Sequence, residues 1–309
     1  MDLDKLIDQF LTAREAEGLA DTTLDWYKRH LRAYARFVKQ SGRQWNDRES
    51  VRLFLAALRS DKVRYKEHPY RKPQRKPLSR SSIRAYHRAL RAFFRWLISD
   101  GVISQNPIEN IKPPKLGKNL PKTIDPADFI LMLDAARGKP RDEALLLFLA
   151  DTGVRDEEAR NLLVSDIDLV AQRARVTGKG RKQRTVYFTE VTAKAISRYL
   201  RLRSSDDPHV FLGQRGPLSV NGIYQILRRL AKKAGVTGRY NPHAFRHFFA
   251  SQYVANGGDL ETLRVMLGHT DIDTTRRYLH FRDEVLRRKH DSFSPISRLS
   301  DEGDNDPDS

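Results

Sequence analysis

The sequence predicts a mainly α-helical protein with a small antiparallel β-sheet, and three observations support this fold class. Apolar residues recur at helical spacing throughout residues 1–112. Residues 166–188 change to short runs with β-branched residues, which flank a turn rich in glycine and basic residues. Helical spacing then returns from residue 190 onward. A chain of 309 residues is long enough for two cores, so we expect a helical bundle followed by an α+β domain.

Two helices begin the chain. The first is predicted to end near Gly18, and its apolar positions are Leu3, Leu6, Ile7, Phe10 and Leu11. The second is expected to begin at Thr22 or Thr23, because either hydroxyl can cap its first turn. The residues predicted to face inward from it are Leu24, Tyr27, Leu31, Tyr34 and Val38.

Two further helices complete the predicted N-terminal bundle. The third covers about 47–59, and the fourth is expected to be capped near Ser81. The apolar face of the fourth helix consists of Ile83, Tyr86, Leu90, Phe93, Phe94 and Leu97.

Basic residues form a stripe on the polar side of the second and fourth helices. On the fourth helix the stripe consists of arginines, spaced by 4, 4, 3 and 4 residues: Arg80, Arg84, Arg88, Arg91 and Arg95. On the second helix it consists of Lys28, Arg32, Arg36 and Lys39. Solvated helix faces usually mix charges of both signs, whereas few acids interrupt these rows. The stripes therefore predict a bundle that lies against the DNA backbone, with a solvated basic face as the alternative.

The overall charge favours the same class of partner. Lys and Arg number 57 against 39 Asp and Glu, which gives a net charge of +18. This excess of positive charge favours binding to a polyanion, because each phosphate that the protein neutralises releases condensed counterions. A solvated basic surface remains the alternative. The absence of cysteine excludes disulfides, thiolate zinc sites and thiol catalysis, and it is compatible with a reducing cytosol. No apolar run approaches the roughly 20 residues of a membrane span.

Three segments are predicted to lie outside regular structure within this layout. Residues 61–80 are basic and proline-containing, and they are interpreted either as a loop that orders on an anionic partner or as a flexible insertion. The proline-rich stretch 113–122 is predicted to be a linker. It separates a DNA-binding domain at 1–112 from a second domain at 123–290. The acidic residues 291–309 are predicted to form a disordered tail.

The second domain begins with helices and contains the predicted hairpin. Asp125 is expected to cap a helix with Pro126 at its first position. A buried helix covers 144–150, Thr152 and Gly153 turn the chain, and a helix resumes over 157–163. The two strands of the hairpin enclose a basic tip that includes Arg181 and Lys182. Later helices are predicted at about 190–203, 219–235, 242–256, 259–267 and 272–280.

Four residues near the end of this domain have the chemistry to bind and attack a phosphodiester. His243 and Arg246 share a face at a helix N-terminus, which favours anions, and His269 follows a helix-ending glycine. Tyr278 supplies a phenol, a group whose ordinary pKa is about 10, so it needs nearby cations and in-line attack to act as a nucleophile. Taken singly, a core tyrosine or a capping histidine is the commoner interpretation.

Metal and nucleotide chemistry fit the sequence less well. His243 and His247 have the spacing of a zinc-protease helix, but Ala244 stands where the general-base glutamate belongs. The segment Gly178-Lys179-Gly180 does not meet the P-loop pattern. Acidic clusters that would suit magnesium-dependent nuclease chemistry are not evident. Asp166 and Asp168 alternate on a strand-like segment and can equally serve as turn formers. We therefore expect no metal and no cofactor.

Residues 242–280, PHAFRHFFASQYVANGGDLETLRVMLGHTDIDTTRRYLH, resemble the signature of the tyrosine recombinases, the phage-integrase and Xer-type site-specific recombinases. Upstream, LFLADTGVRDEEARNLLVSDID looks like the first arginine motif of that family, and VTGKGRKQRTVYF looks like its lysine hairpin. The likeness covers essentially the whole chain. The family set appears in family order as Arg155, Lys179, His243, Arg246, His269 and Tyr278.

The resemblance implies a role for each of these residues. Tyr278 would attack the scissile phosphate to form a 3′-phosphotyrosyl bond, and Arg155 and Arg246 would clamp the phosphate. Lys179 would protonate the leaving 5′-oxygen as a general acid. His243 would assist proton transfer at the tyrosine, and His269 would donate to a phosphate oxygen. Strand exchange through a Holliday junction would then reseal the DNA without ATP or an obligatory metal.

The sequence departs from the family pattern at two positions. Asp156 replaces an apolar residue after the first arginine, which puts the local packing in doubt, although Glu158 remains in place to brace Arg155. Phe245 replaces the commoner leucine, and its larger side chain requires more space in the core.

The family also implies an assembly and a location. Residues 279–289, with apolar Phe281, Val285 and Leu286, are expected to pack into a neighbouring protomer and to build a homo-tetramer on double-stranded DNA, with packing in cis as the alternative. The protein would be cytoplasmic and nucleoid-associated. The rival functions are a type IB topoisomerase and a DNA-binding protein that has lost catalysis.

Overall fold

The computed structural model describes residues 2–60, 77–116, 123–178, 180, 182–268, 287 and 290. The chain divides into two compact units, Met1–Asn119 and Leu120–Ser309, and each has its own hydrophobic core. The predicted linker, the greater part of the basic loop, the helix at 272–280 and the acidic tail lie largely or wholly outside the described residues, so these remain predictions. None of the described helices combines the length and apolar character that a membrane crossing requires.

The described part of the first unit consists of four helices, as the apolar spacing predicts. These are α1 (Leu3–Ala16), α2 (Asp21–Ser41), α3 (Arg48–Ser60) and α4 (Arg80–Ser99). Aromatic rings fill the centre, where the fully buried Phe10 meets Tyr27 at 5.2 Å and Phe93 at 5.5 Å, both edge to face. Edge-to-face pairs of this kind add stability beyond the apolar area that they bury.

Three predicted helix boundaries are wrong, each for a local reason. Helix α2 begins at Asp21 rather than after Thr22 or Thr23, because the acid occupies the first turn, where the helix dipole favours negative charge. Helix α4 is capped by Ser79 and not by Ser81, since the Ser79 hydroxyl accepts the Ser82 amide at 3.1 Å. The helix predicted over 157–163 ends at Arg160, because the Val164 amide turns away to donate to the Pro208 carbonyl at 2.8 Å.

The second unit is α-helical except for one small sheet. Its described helices are α5 (Pro126–Ala136), α6 (Pro140–Thr152), α7 (Asp156–Arg160), α8 (Glu190–Leu202), α9 (Val220–Lys233), α10 (Pro242–Ala255) and α11 (Leu260–Leu267). The predicted cap of α5 is confirmed, because the Asp125 carboxylate accepts the Ala127 amide at 2.9 Å. Helix α6 is the central helix, with Leu145, Leu146, Phe148 and Leu149 fully buried, and it packs against α5, α8 and α10.

The predicted hairpin is confirmed, and a short third strand extends it. The antiparallel sheet has the order β1 (Ile167–Asp168), β2 (Arg173–Thr177) and β3 (Gln183–Tyr187). Its register pairs Ala174 with Val186 and Val176 with Arg184. Successive side chains of a strand point to opposite faces, so Arg184 lies on the same face as the buried Val186. This placement directs an arginine toward the interior of the unit.

Candidate active site

The candidate site lies where several helices of the second unit begin or end. Helix α6 is capped at its C-terminus by Gly153, whose φ of 60° is in the left-handed region that favours glycine. Two residues later, Arg155 occupies the cap position of α7 in an extended conformation. Helix α11 ends at Gly268, again left-handed at φ 63°. These turns bring backbone carbonyl groups and arginine side chains together.

Arg155 is held by Glu158, one turn ahead of it in the same helix. Its Nη1 donates to Glu158 Oε1 at 2.9 Å, and its backbone amide donates to Oε2 at 2.7 Å. Its Nη2 makes a longer contact of 3.4 Å with the carbonyl oxygen of Gly268. A third of the Arg155 side chain remains exposed, so this guanidinium is accessible to a ligand. These hydrogen bonds are those that a bracing role for Glu158 requires.

Glu158 is a buried carboxylate with two arginine partners. Its side chain has no exposed surface, and beside Arg155 it accepts hydrogen bonds from both terminal nitrogens of Arg184, from Nη2 at 2.8 Å. Burial by itself raises the pKa of Glu158, but the hydrogen bonds and charges of Arg184 and then Arg155 outweigh burial and bring the pKa to about 2. Glu158 is therefore ionised throughout the neutral range.

Arg246 is almost fully buried and is fixed by backbone oxygens. Its Nη1 donates to the carbonyl of Gly153 at 2.8 Å, and its Nη2 donates to the carbonyl of Leu267 at 2.6 Å. The residue lies on α10, whose first turn is capped by Asn241. Arg246 thus ties the end of α6 to the end of α11.

Three successive carbonyl groups at the end of α11 each accept a hydrogen bond from a different arginine. Met266 receives Arg184 Nε at 2.9 Å, Leu267 receives Arg246 at 2.6 Å, and Gly268 receives Arg155 at 3.4 Å. The last carbonyls of a helix have no partner within the helix, and its C-terminus attracts cations. Among the described residues, Glu158 is the one carboxylate shown bonded to these three guanidinium groups, and this part of the cluster has an excess of positive charge that suits a phosphate.

His243 is exposed at the start of α10, three residues before Arg246. An exposed imidazole at this position is accessible to a ligand. Phe245 on the same helix is fully buried and meets Phe129 edge to face, so the core accommodates the larger ring. Within the described residues, no group of three or more His, Asp or Glu side chains is arranged to hold a metal ion.

Lys179, Arg181, His269 and Tyr278 lie outside the described residues, and their roles remain predictions. Two of them, Lys179 and His269, each follow a described glycine that lies at the cluster. Gly178, which precedes Lys179, approaches so closely that a Cβ placed there would lie 3.0 Å from Glu158 Oε1. Gly268, which precedes His269, provides the carbonyl that Arg155 contacts. The chain therefore enters both undescribed positions directly from the arginine cluster.

Arg184 is the residue of this cluster that was not predicted from the sequence. Strand alternation was the available signal, since Arg184 and the apolar Val186 lie two residues apart in a predicted strand. A basic residue that faces the core needs an acidic partner, and here the partner is Glu158.

The predicted basic stripe is fully exposed on α4, whereas on α2 one of its residues is paired with acids. All five arginines of the α4 stripe are exposed, and Arg88 lies over the ring of Trp26 at 5.2 Å. On α2, Lys28, Arg36 and Lys39 are exposed. Arg32 is different, because it donates to Asp4 at 2.7 Å and to Asp8 at 2.6 Å and so joins α2 to α1. Lys182, near the predicted hairpin tip, is exposed.

The chain is similar to known proteins over most of its length. Residues 122–284 match the family model of the Phage integrase family, and residues 6–104 match that of the Phage integrase, N-terminal SAM-like domain. Tyrosine recombinase XerC of Proteus mirabilis is 30% identical over 308 residues, which cover 96% of this chain and 95% of that protein. Tyrosine recombinase XerD of Halalkalibacterium halodurans is 31% identical over 306 residues, covering 94% of this chain and 97% of that protein.

A solved structure shares the fold. The Tn1549 transposon integrase in complex with transposon right end DNA superimposes with a TM-score of 0.73 at 19% identity, covering 97% of this chain and all of that one.

Proposed function

Because the chain belongs to the phage integrase family and is a tyrosine-type site-specific DNA recombinase, we propose that it cuts and rejoins DNA strands through a 3′-phosphotyrosyl intermediate and a Holliday junction. The observation that carries this proposal is the arginine cluster at the end of α11. It holds Arg155 and Arg246, which are far apart in sequence, on adjacent carbonyl groups. Two guanidinium groups held in this way suit the non-bridging oxygens of one phosphate.

The proposed chemistry is balanced without a further reactant. The phenol oxygen of Tyr278 attacks phosphorus, the bond to the 5′-oxygen breaks, and that oxygen takes a proton from Lys179. His243 accepts the phenolic proton, while Arg155, Arg246 and His269 stabilise charge on the phosphate. In the second half the 5′-hydroxyl of the partner strand attacks phosphorus and gives its proton to Lys179, the bond to Tyr278 breaks, and the tyrosine takes back its proton from His243. The covalent bond conserves the energy of the broken phosphodiester, so no step requires a metal or a nucleotide.

DNA is the partner that the basic surfaces of the chain favour. The exposed arginines of α4 and the exposed cations of α2 suit contacts with the phosphate backbone of a duplex. Assembly into a homo-tetramer on two duplexes, with residues 279–289 packed into a neighbouring protomer, is part of the proposal. So is a cytoplasmic, nucleoid-associated location, where such a substrate is found. Loss of synapsis on deletion of residues 282–309 would support packing in trans over packing in cis.

The two rival functions give different products. A type IB topoisomerase would relax supercoiled DNA of arbitrary sequence without making recombinants. A DNA-binding protein that has lost catalysis would form no covalent adduct with any duplex. The two-domain layout with a helical N-terminal unit and the Leu267-Gly268-His269 motif favour the recombinase over the topoisomerase, and the intact family set from Arg155 to Tyr278 favours it over the silent protein.

Covalent capture from a library of random-sequence duplexes, each nicked so that the cut fragment diffuses away, tests the proposal. Wild-type protein should accumulate protein–DNA adducts that share a sequence, and Tyr278→Phe should form none. Tyr187→Phe removes a hydroxyl from an exposed tyrosine on β3 and is the matched control, which should react like the wild type. No adduct with any duplex would favour the silent binding protein, and adducts without sequence preference would favour the topoisomerase.

A further inference from the structure

We propose that Arg184 is a positioning residue for strand cleavage, which acts by holding Glu158, and through it Arg155, against the end of α11. This inference rests on the proposed function, and it adds a residue outside the predicted catalytic set. Its basis is the set of contacts that Arg184 makes within the second unit.

Arg184 is bound by the protein through all three of its nitrogens. Nη2 donates to Glu158 Oε2 at 2.8 Å, Nη1 donates to Oε1, and Nε donates to the Met266 carbonyl at 2.9 Å. The bidentate pairing of a guanidinium with a carboxylate fixes direction as well as distance. Only 14% of the side chain is exposed, against 33% for Arg155. Arg184 is therefore suited to support Arg155 rather than to bind the phosphate itself.

Glu158 connects the two arginines. Oε1 accepts from Arg155 Nη1 as well as from Arg184, and Oε2 accepts from the Arg155 backbone amide as well as from Arg184. Without Arg184, half of the hydrogen bonds to this buried carboxylate would be lost. The carboxylate would then be free to move toward Arg155 or to take up a proton. In both cases the Arg155 guanidinium changes position or partner.

Arg184 also ties the hairpin to this pair. It lies on β3, opposite Val176 of β2, and the two strands approach each other where the Gly178 amide donates to the Lys182 carbonyl at 2.8 Å. Lys179, the proposed general acid, lies between these two residues in the sequence. A shift of the hairpin relative to Arg155 would therefore break the hydrogen bonds between Arg184 and Glu158. The contacts favour one fixed arrangement of hairpin, α7 and α11.

The test compares substitutions of Arg184 with the same substitutions of Arg175. Arg175 lies on the adjacent strand and pairs with Asp166 at 2.8 Å, but it is exposed and outside the cluster. The variants are Arg184→Met, Arg184→Lys, Arg175→Met and Arg175→Lys in the full chain. Single-turnover cleavage of a captured nicked duplex and its dissociation constant are measured for each, and thermal unfolding checks that each variant folds.

We expect Arg184→Met to cleave about 100-fold more slowly, because a small displacement of a clamping group is costly, while DNA affinity stays near that of the wild type. The cleavage rate of this variant should also fall on acidification, and the fall should begin at a higher pH than it does in the wild type. The charged groups that face Glu158 in the described residues are Arg155 from α7 and Arg184 from β3, and the substitution removes the second. Arg184→Lys should recover the pH profile but not the rate, since one ammonium cannot bridge both carboxylate oxygens and the Met266 carbonyl.

Both Arg175 variants should match the wild type. Wild-type cleavage by Arg184→Met, or a loss of affinity that accounts for its slower cleavage, would overturn the proposal. If Arg184→Met does not fold, the rate and pH profile of Arg184→Lys decide the matter by the same criteria.

A measurement without DNA separates this proposal from the proposed function. The side-chain ¹⁵N–H signals of Arg155, assigned with Arg155→Lys, report whether its guanidinium is held. They should be the same in the wild type and in Arg175→Met, and they should be shifted or show freer rotation in Arg184→Met, because the guanidinium changes position or partner there. Equal signals in all three proteins would refute positioning by Arg184. Failure of the wild type to form adducts would instead refute the recombinase function.

Discussion

Arg246 donates to the carbonyl oxygen of Leu267 at 2.6 Å, one residue before the carbonyl that Arg155 contacts. One end of α11 thus holds both arginines that are proposed to clamp the phosphate. A helix C-terminus is an unusual neighbour for an anion, since it favours cations. Under the proposed function the cations would lie between the helix end and the phosphate, so that the helix fixes the arginines and the arginines bind the substrate.

Substitution of Arg246 should abolish most of the activity. Arg246→Lys retains a charge but cannot reach both the Gly153 and Leu267 carbonyls in the geometry of a guanidinium. We expect cleavage to fall by about 10²–10³-fold, as for the loss of one transition-state donor. Single-turnover cleavage measures this loss. Arg137→Lys, at an exposed position on the same unit, should cleave normally, and an equal loss there would contradict the assignment.

Replacement of the buried carboxylate should reduce stability in a pH-dependent way. Glu158→Gln leaves Arg155 and Arg184 without their anion, so the free energy of unfolding should fall by about 3 kcal/mol at pH 7. The pKa of Glu158 is about 2 in the folded chain, below the ordinary value of about 4.3. Its contribution is therefore complete above about pH 5 and is lost as the pH falls toward 2.

Urea unfolding at pH 7, 4 and 3 measures this effect. The difference between wild type and Glu158→Gln should be constant above about pH 5 and should shrink at pH 4 and again at pH 3. Glu261→Gln changes an exposed carboxylate of α11 and corrects for general acid effects. A difference that grows with acidification would show that Glu158 is not held in its ionised form.

The turn at the end of α6 should tolerate no side chain. A Cβ at Gly153 would lie 2.7 Å from Phe249 Cδ1, and its φ of 60° strains any other residue. Gly153→Ala should therefore cost about 3 kcal/mol of unfolding free energy. It should also slow cleavage, because the Gly153 carbonyl holds Arg246.

Gly138→Ala is the control for backbone strain alone, since Gly138 has a φ of 79° and no atom lies within 4 Å of the position that an added methyl group would take. It should cost about 1 kcal/mol and leave cleavage unchanged. Denaturant unfolding and cleavage of the two variants are compared. Equal losses of unfolding free energy in the two variants would mean that the contact with Phe249 is relieved without a cost in stability.

The basic residues of the first unit should separate into DNA contacts and structural pairs. Arg91→Ala combined with Arg95→Ala removes two exposed cations of α4, so the slope of log K against log salt should become less steep by about 1.8. Arg32→Ala should leave the slope unchanged and lower the free energy of unfolding by about 1 kcal/mol, because Arg32 pairs with Asp4 and Asp8. Anisotropy titrations of a labelled duplex across a salt series measure the slopes. The reverse result would make Arg32 the DNA contact.

Most elements of the fold could be predicted because their signal is local. Period-3.6 apolar spacing marks the helices of both units, and a glycine-rich turn between two short runs marks the hairpin. The errors are at helix ends, where Ser79 and Ser81 are both plausible caps and only the path of the chain decides between them. The helix after Arg155 is shorter than its pattern, because the amide of Val164 bonds to a distant carbonyl.

The sequence by itself determined the class of protein, through an ordered set of residue types that links Arg155 to Tyr278. It also determined the composition of each helix face. Tertiary structure alone decided which charges neutralise one another. It paired Arg32 with two acids of α1, it brought Arg184 to Glu158, and it gathered three arginines on the last carbonyls of α11. The physical reason is that periodicity reports the direction of a side chain within its own element, whereas ion pairs depend on how elements distant in sequence pack together.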